Sequence, residues 1–147
     1  MDAVRENHCS GFSLIEIVMV VVILGVMSVV AMVKYQDSIK AAREQDAVAQ
    51  LQAIHTANEL YYSKSNPSEY LQGTYPLNDP GGDQSINDQF GLSIFANGLT
   101  YTYTSTSTTT YTATADEGNF TVRVNETVLG ASNPCCSAGT CPTLPSC

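Results

Sequence analysis

The feature that most constrains this chain is an apolar run near its amino terminus. From Phe12 to Val33 there are 22 residues with one charged side chain, Glu16. A helix of that length measures roughly 33 Å, which is enough to cross the hydrocarbon core of a bilayer. An ionised group inside such a run is costly, so a carboxylate there is a candidate functional group. The pattern predicts a membrane-spanning helix over 12–33, in which Glu16 needs a partner.

The residues in front of this run form a recognisable motif. A short polar stretch, residues 1–11, ends in Gly11, and Phe12 and then Glu16 follow at a spacing of four. An ordinary secretory signal carries its cleavage site behind its apolar region, whereas this motif lies in front of the apolar region. The arrangement resembles the prepilin motif shared by type IV pilins and the pseudopilins of type II secretion systems.

This resemblance implies specific roles for the motif residues. Residues 1–11 would be a leader that a membrane-embedded prepilin peptidase removes after Gly11, and the new amino terminus at Phe12 would be methylated. Glu16 would meet the free amine of Phe12 on a neighbouring subunit. The chain would then be a homo-oligomer in a helical filament, assembled from the inner membrane by pilus or type II secretion machinery. Such a filament requires a heterologous interface.

Behind the apolar run, the sequence becomes polar without a helix breaker. No Pro or Gly occurs between Val26 and Asn66, so we expect an amphipathic helix over 34–63 that ends at Asn66-Pro67. Apolar residues at helical spacing are expected to cover a sheet: Ala47, Leu51, Ile54, Ala57 and Tyr61. Polar residues are expected on the other faces: Lys40, Glu44, Gln45, Gln52 and Glu59.

The next segment, 64–98, is rich in Pro and Gly, which predicts a long irregular connection. It contains three acids, Asp79, Asp83 and Asp88, whose spacing does not match a calcium-binding loop. We interpret them as solvated turn residues, and no metal site is predicted.

From Leu99 the hydrophobic period changes to two, as in half-buried strands. One face of three strands carries the larger or apolar residues: Leu99, Tyr101, Tyr103, Tyr111, Ala113, Ala115, Phe120, Val122 and Val124. Segment 99–130 is therefore predicted to be an antiparallel meander with one face for the helix. The expected fold class is α+β, pilin-like, with a long amino-terminal helix on a small antiparallel sheet.

The tail, 131–147, is rich in cysteine. Cys9 lies in the expected leader, which leaves an even set in the exported part: Cys135, Cys136, Cys141 and Cys147. An even set in an exported chain predicts two disulfides formed in an oxidising compartment. A zinc site is the alternative, but the tail has no Cys-x2-Cys pair and no nearby histidine. Because adjacent cysteines rarely bond to each other, two of the three connectivities stay open.

The net charge and the motifs that are missing from the sequence argue against some classes of function. The net charge is −8, and residues 65–147 hold seven acids against one base, Arg123, which disfavours nucleic acid as a partner. The one histidine behind the leader, His55, is expected to be a surface or packed residue. No phosphate loop or nucleophile elbow is present, so no enzyme and no cofactor is predicted.

The predicted function is that of a structural filament subunit, a pilin or pseudopilin. It would reside in the inner membrane before assembly and in an extracellular pilus or periplasmic pseudopilus afterwards. The alternatives are a minor or tip pilin that serves as a binding module for adhesion or DNA uptake, and a plain single-pass membrane protein that never polymerises. The last alternative would leave the position of Glu16 unexplained.

Overall fold

The computed structural model describes residues 12–77 and 85–147. Contacts divide the chain into two units, one that ends at Ser38 and one that begins at Ile39. The first unit carries the apolar run, and the second, which we call the head, carries the sheet and the disulfides. The expected leader and the acids Asp79 and Asp83 lie outside the described residues.

One long helix, α1, covers Leu14–Lys64. Its start is formed by the Ser13 carbonyl oxygen, which accepts hydrogen bonds from the backbone N–H groups of Glu16 and Ile17. Its last turn carries Lys64, a charge that suits the carboxyl end of a helix dipole. The helix ends just before Asn66-Pro67, as the sequence predicts, because the residue before a proline avoids the helical region.

The head contains a five-stranded antiparallel sheet in which neighbours in sequence are neighbours in space. The strands are β1 Gly73–Pro76, β2 Thr100–Ser105, β3 Thr112–Asp116, β4 Phe120–Asn125 and β5 Cys135–Gly139. In the register, Tyr101 of β2 lies opposite Ala115 of β3, which in turn lies opposite Val122 of β4. The predicted α+β class and the alternation of the three central strands are confirmed.

The core of the head lies between α1 and one face of this sheet. It joins Leu51 and Ile54 of the helix to Tyr101 and Tyr103 of β2, all of which are fully buried. The predicted helix stripe is correct for Ala47, Leu51 and Ile54, whereas Ala57 is half-buried and Tyr61 is exposed. An α-helix has 3.6 residues per turn, so side chains at alternating spacings of three and four shift gradually around its axis. The last residues of the stripe therefore no longer face the sheet.

The segment expected to be irregular, 64–98, holds two regular elements. The first is β1, an edge strand of four residues, and the second is a short helix, α2, over Ile86–Phe90. The Ser85 hydroxyl accepts the backbone N–H of Asp88 at the start of α2, and Gly91 ends α2 in the left-handed conformation with φ 64°. The Pro and Gly residues of this segment therefore lie at the ends of two short regular elements as well as in turns.

The tail contributes the other edge strand, β5, which the sequence prediction did not include. Gly139 pairs with Phe120 of β4 and has a φ of 75°. A Cβ atom at this position would collide with the Asn119 carbonyl oxygen. Glycine is therefore required where β5 ends against the turn between β3 and β4.

Candidate functional site

The first candidate region is the exposed apolar face of α1. Phe12 is 78% exposed, and every apolar side chain described from Leu14 to Val29 is also exposed. Among the described residues, α1 is the helix that is long and apolar enough to cross a membrane. So much apolar surface is not stable in water, so this segment requires a lipid or protein environment.

Glu16 lies in the first turn of α1, where the helix dipole favours an acidic side chain. Its carboxylate makes no hydrogen bond or ion pair with any residue that the structure describes. The carboxylate is thus available to a group from outside the chain. The predicted pairing with the Phe12 amine of another subunit stays a prediction, and Gly11, the predicted cleavage position, lies outside the described residues.

The four tail cysteines form two disulfides, Cys135–Cys147 and Cys136–Cys141. This is one of the two connectivities that the sequence left open. The outer bridge brings the last residue back to β5, where the Cys147 N–H donates to the Cys136 carbonyl oxygen at 3.0 Å. The bridges close the tail on itself and exclude these cysteines as zinc ligands.

A carboxylate on α1 holds this tail to the helix. Glu44 is fully buried, although the sequence analysis assigned it to a face outside the apolar stripe. Its Oε1 accepts hydrogen bonds from the backbone N–H of Thr143 at 3.1 Å and from the Thr143 hydroxyl at 2.8 Å. The sequence analysis placed Glu44 away from the stripe and did not predict its burial, which arises because the tail covers this carboxylate and supplies two donors to it.

A second link joins α1 to the turn between β3 and β4. Arg43 makes an ion pair with Glu117, whose side chain is almost wholly buried. The Asn97 side chain donates to Asp46 at 3.1 Å, which fixes the loop before β2 to the same part of the helix. Three neighbouring positions on α1, Arg43, Glu44 and Asp46, thus bind three separate segments of the head.

Tyrosines and one histidine form an aromatic cluster in the core. The rings of Tyr103 and Tyr111 stack with centroids 5.5 Å apart, and Tyr70 meets Tyr111 edge-on at 4.9 Å. His55 Nδ1 contacts the Tyr111 hydroxyl and lies 3.1 Å from the Asn125 carbonyl oxygen. His55 is therefore a packed residue, in agreement with the sequence prediction.

Burial raises the pKa of four phenols in the head: Tyr70, Tyr101, Tyr103 and Tyr111. For Tyr70, the hydrogen bond that its hydroxyl donates to Glu59 at 2.7 Å raises the pKa further. The fold therefore holds these side chains in the neutral form, as a packed core requires.

No cluster of three metal-ligating side chains occurs in residues 12–77 and 85–147. Asp88, one of the three acids considered for calcium, instead bonds to Ser85 at the start of α2 through its backbone N–H and its carboxylate. Asp88 is exposed, as a solvated residue would be, but the interpretation as a turn residue is wrong because Asp88 lies within the short helix α2. The other two, Asp79 and Asp83, fall in the undescribed gap.

Sequence reasoning missed the polar residues buried beneath the sheet. Asn58 is fully buried, and its Oδ1 lies 3.3 Å from the Tyr103 hydroxyl, which also donates to the Leu71 carbonyl oxygen at 2.7 Å. A signal was present, since the spacing of Ala47, Leu51 and Ile54 extends back to position 44 and forward to 58. Because the side chains at positions 44 and 58 are polar, the sequence analysis did not assign these two positions to the core face.

The comparisons with known proteins agree with the motif at the amino terminus. Residues 7–32 match the prokaryotic N-terminal methylation motif. The chain is also similar to type II secretion system core protein G of Aeromonas hydrophila, with 30% identity over 83 residues, which are 56% of this chain and 53% of that protein. The chain thus spans about half the length of this curated relative. No solved structure matches. The prepilin-type resemblance is confirmed.

Proposed function

We propose that this protein is a structural subunit, a pilin or pseudopilin, that resides in the inner membrane and polymerises into a helical filament through its amino-terminal helix. The observation that carries the proposal is a methylation motif over 7–32 that overlaps the start of a helix whose described apolar side chains from Leu14 to Val29 are all exposed. A cleaved signal would discard this helix, whereas a prepilin-type subunit keeps it. The similarity to a core protein of a type II secretion system supports the same class.

The filament core would supply the partner that Glu16 lacks among the described residues of its own chain. A charge buried among apolar helices is stable only when it is paired, and the ammonium of Phe12 on an adjacent subunit is the proposed partner. In the membrane, the same carboxylate lies near the edge of the run, where headgroups and water are within reach. The pair would therefore set the register of assembly rather than anchor the subunit.

The proposal is tested by two substitutions at this position. Glu16→Ala and Glu16→Gln should both insert and accumulate in the membrane. Each should nevertheless lower filament yield strongly, because a broken buried ion pair costs roughly 3 to 5 kcal/mol. Asp116→Asn, which removes the charge of an exposed acid of the head, serves as a control for loss of charge elsewhere. Normal filament yield from both Glu16 variants, at wild-type membrane levels, would refute the pairing.

We propose further that the prepilin peptidase and the assembly machinery are its partners, and that it performs no catalysis. Deletion of the gene separates the two filament types: loss of surface filaments indicates a pilin, and loss of protein secretion with surface filaments intact indicates a pseudopilin. Mass spectrometry of sheared filaments would then show whether this chain is a main or a minor component.

A further inference from the structure

Among the surface grooves in the described part of the head, two lie beside α1 and combine apolar with charged lining residues. The first, which we call the Lys64 groove, has a volume of about 160 Å³ and is lined by Ala57, Leu60, Tyr61, Lys64, Gln89 and Phe90. The second, the Val128 groove, has a volume of about 360 Å³ and is lined by His55, Thr56, Glu59, Glu126, Val128 and Leu129.

Both grooves expose apolar side chains. Leu60 is 53% exposed in the first groove, and Val128 is 89% exposed at the second. A single exposed apolar residue is normal on a protein surface, but here each one adjoins a concave site with further apolar lining. Each groove therefore has the form of a docking surface.

The two grooves carry opposite charge. Lys64 is the charged residue of its groove, and it makes no ion pair with any residue in the described part of the chain. The charged residues of the Val128 groove are the two acids Glu59 and Glu126. Contact between the unlike grooves is thus electrostatically favourable, whereas contact between two like grooves would bring equal charges together.

The acids are held in place before any partner arrives. Glu59 Oε1 accepts a hydrogen bond from the Tyr70 hydroxyl at 2.7 Å, and Glu126 Oε2 accepts one from the Tyr111 backbone N–H at 3.4 Å. In the described structure, the other oxygen of each carboxylate has no hydrogen-bond partner. Each acid can therefore accept a further donor with little loss of side-chain freedom.

The two grooves have no lining residue in common and occupy different parts of the head surface. Along α1 their lining residues face different directions, since Glu59 and Tyr61 are two positions apart, which is about 200° around a helix. Two complementary surfaces at different places on one folded head cannot dock on each other within one chain. Between copies they form a heterologous contact that repeats without closing, as a filament needs.

We propose that the Lys64 groove of one copy docks against the Val128 groove of the next, with Leu60 packed on Val128 and Lys64 paired with Glu126. This inference rests on the proposed filament function and adds the partner surface of the head. The occupant of each groove is a second copy of this chain.

A charge exchange in the full-length protein, expressed in its native host, tests the ion pair. Lys64→Glu and Glu126→Lys should each lower filament yield about tenfold or more, because each one opposes like charges across the contact. The double variant should restore yield. Lys40→Glu is the matched control, since it makes the same charge change at another exposed lysine of α1 and should leave yield unchanged.

Disulfide trapping tests the apolar contact. Filaments of a chain that carries both Leu60→Cys and Val128→Cys should give a ladder of linked subunits on oxidation, and either single variant should give none. If the wild-type chain forms filaments but the double cysteine variant gives no ladder and the double charge variant does not restore yield, this inference is overturned. The proposed filament function would stand in that case. Dimers from a single cysteine variant would also overturn it, because they indicate like-to-like docking. A wild-type chain that forms no filament would refute both proposals.

Discussion

Removal of the Glu44 side chain should loosen the tail and destabilise the head. The carboxylate is fully buried and receives both the backbone N–H and the hydroxyl of Thr143. A hydrogen bond to a charged group contributes about 1.5 to 3 kcal/mol, but Thr143 is exposed, so water can replace part of what is lost. We therefore expect Glu44→Ala to cost about 2 to 3 kcal/mol, a decrease of about 10 °C or more in Tm for a domain of this size.

A second substitution separates the two hydrogen bonds. Thr143→Val keeps the shape of the side chain and the backbone N–H but removes the hydroxyl, which donates to Glu44 at 2.8 Å. It should cost about 1 kcal/mol in the wild-type chain. In the Glu44→Ala background, the same change should cost close to nothing, since its partner is already absent.

The assay is thermal unfolding of the purified mature chain in detergent, followed by the near-ultraviolet circular dichroism of the head tyrosines. Gln45→Ala is the control, because Gln45 is an exposed neighbour on the same helix and its loss should change stability by less than about 0.5 kcal/mol. If Glu44→Ala unfolds at the same temperature as this control, the carboxylate does not hold the tail and the reasoning fails.

Three further predictions concern the disulfides, the buried phenols and the expected processing site. Thiol labelling of the unfolded, unreduced mature chain should detect no free sulfhydryl, and reduction should lower its Tm, because each bridge contributes on the order of 2 to 3 kcal/mol; four labelled thiols would contradict the two bridges. The contribution of the four buried phenols to stability should be constant below the ordinary tyrosine pKa of about 10 and fall as the pH rises beyond it, because these phenols hold their protons in the folded state and release them on unfolding; the part of the tyrosinate absorbance that comes from these four should therefore rise together with loss of the fold, and early ionisation of all tyrosines in a folded head would contradict this. Gly11→Val should leave uncut precursor in the membrane, whereas intact-mass measurement of wild-type filament subunits should find Phe12 at the amino terminus with one added methyl group.

The central sheet was predictable because its signal is local. In β2, β3 and β4, buried residues alternate with half-buried or exposed ones, as a sheet with one covered face requires. Tyr101 and Tyr103 alternate with threonines, so each strand could be identified from its own residues. The four-residue β1 offered no such period, and its pairing with β2 depends on residues far away in sequence.

The buried polar contacts were not predictable in the same way. Position 44 has the right spacing for the core face, but a carboxylate there is stable only if donors reach it. Those donors come from Thr143, which is 99 residues away in sequence, so the helix sequence alone could not predict them. The disulfide pairing was open for the same reason, since the choice between two connectivities depends on how β5 pairs with β4.

The two units of the chain are stabilised by different interactions. Glu16 and Glu44 lie in different units and are therefore expected to have distinct roles. The head has its own core, two disulfides and the Glu44 contact, and all of these lie within Ile39–Cys147. The apolar run has no such contacts among its described residues and depends on whatever surrounds it. Substitutions at distant, independent sites act additively. Glu16→Ala should therefore abolish assembly without changing the Tm of the head, whereas Glu44→Ala should lower that Tm and leave membrane insertion unchanged.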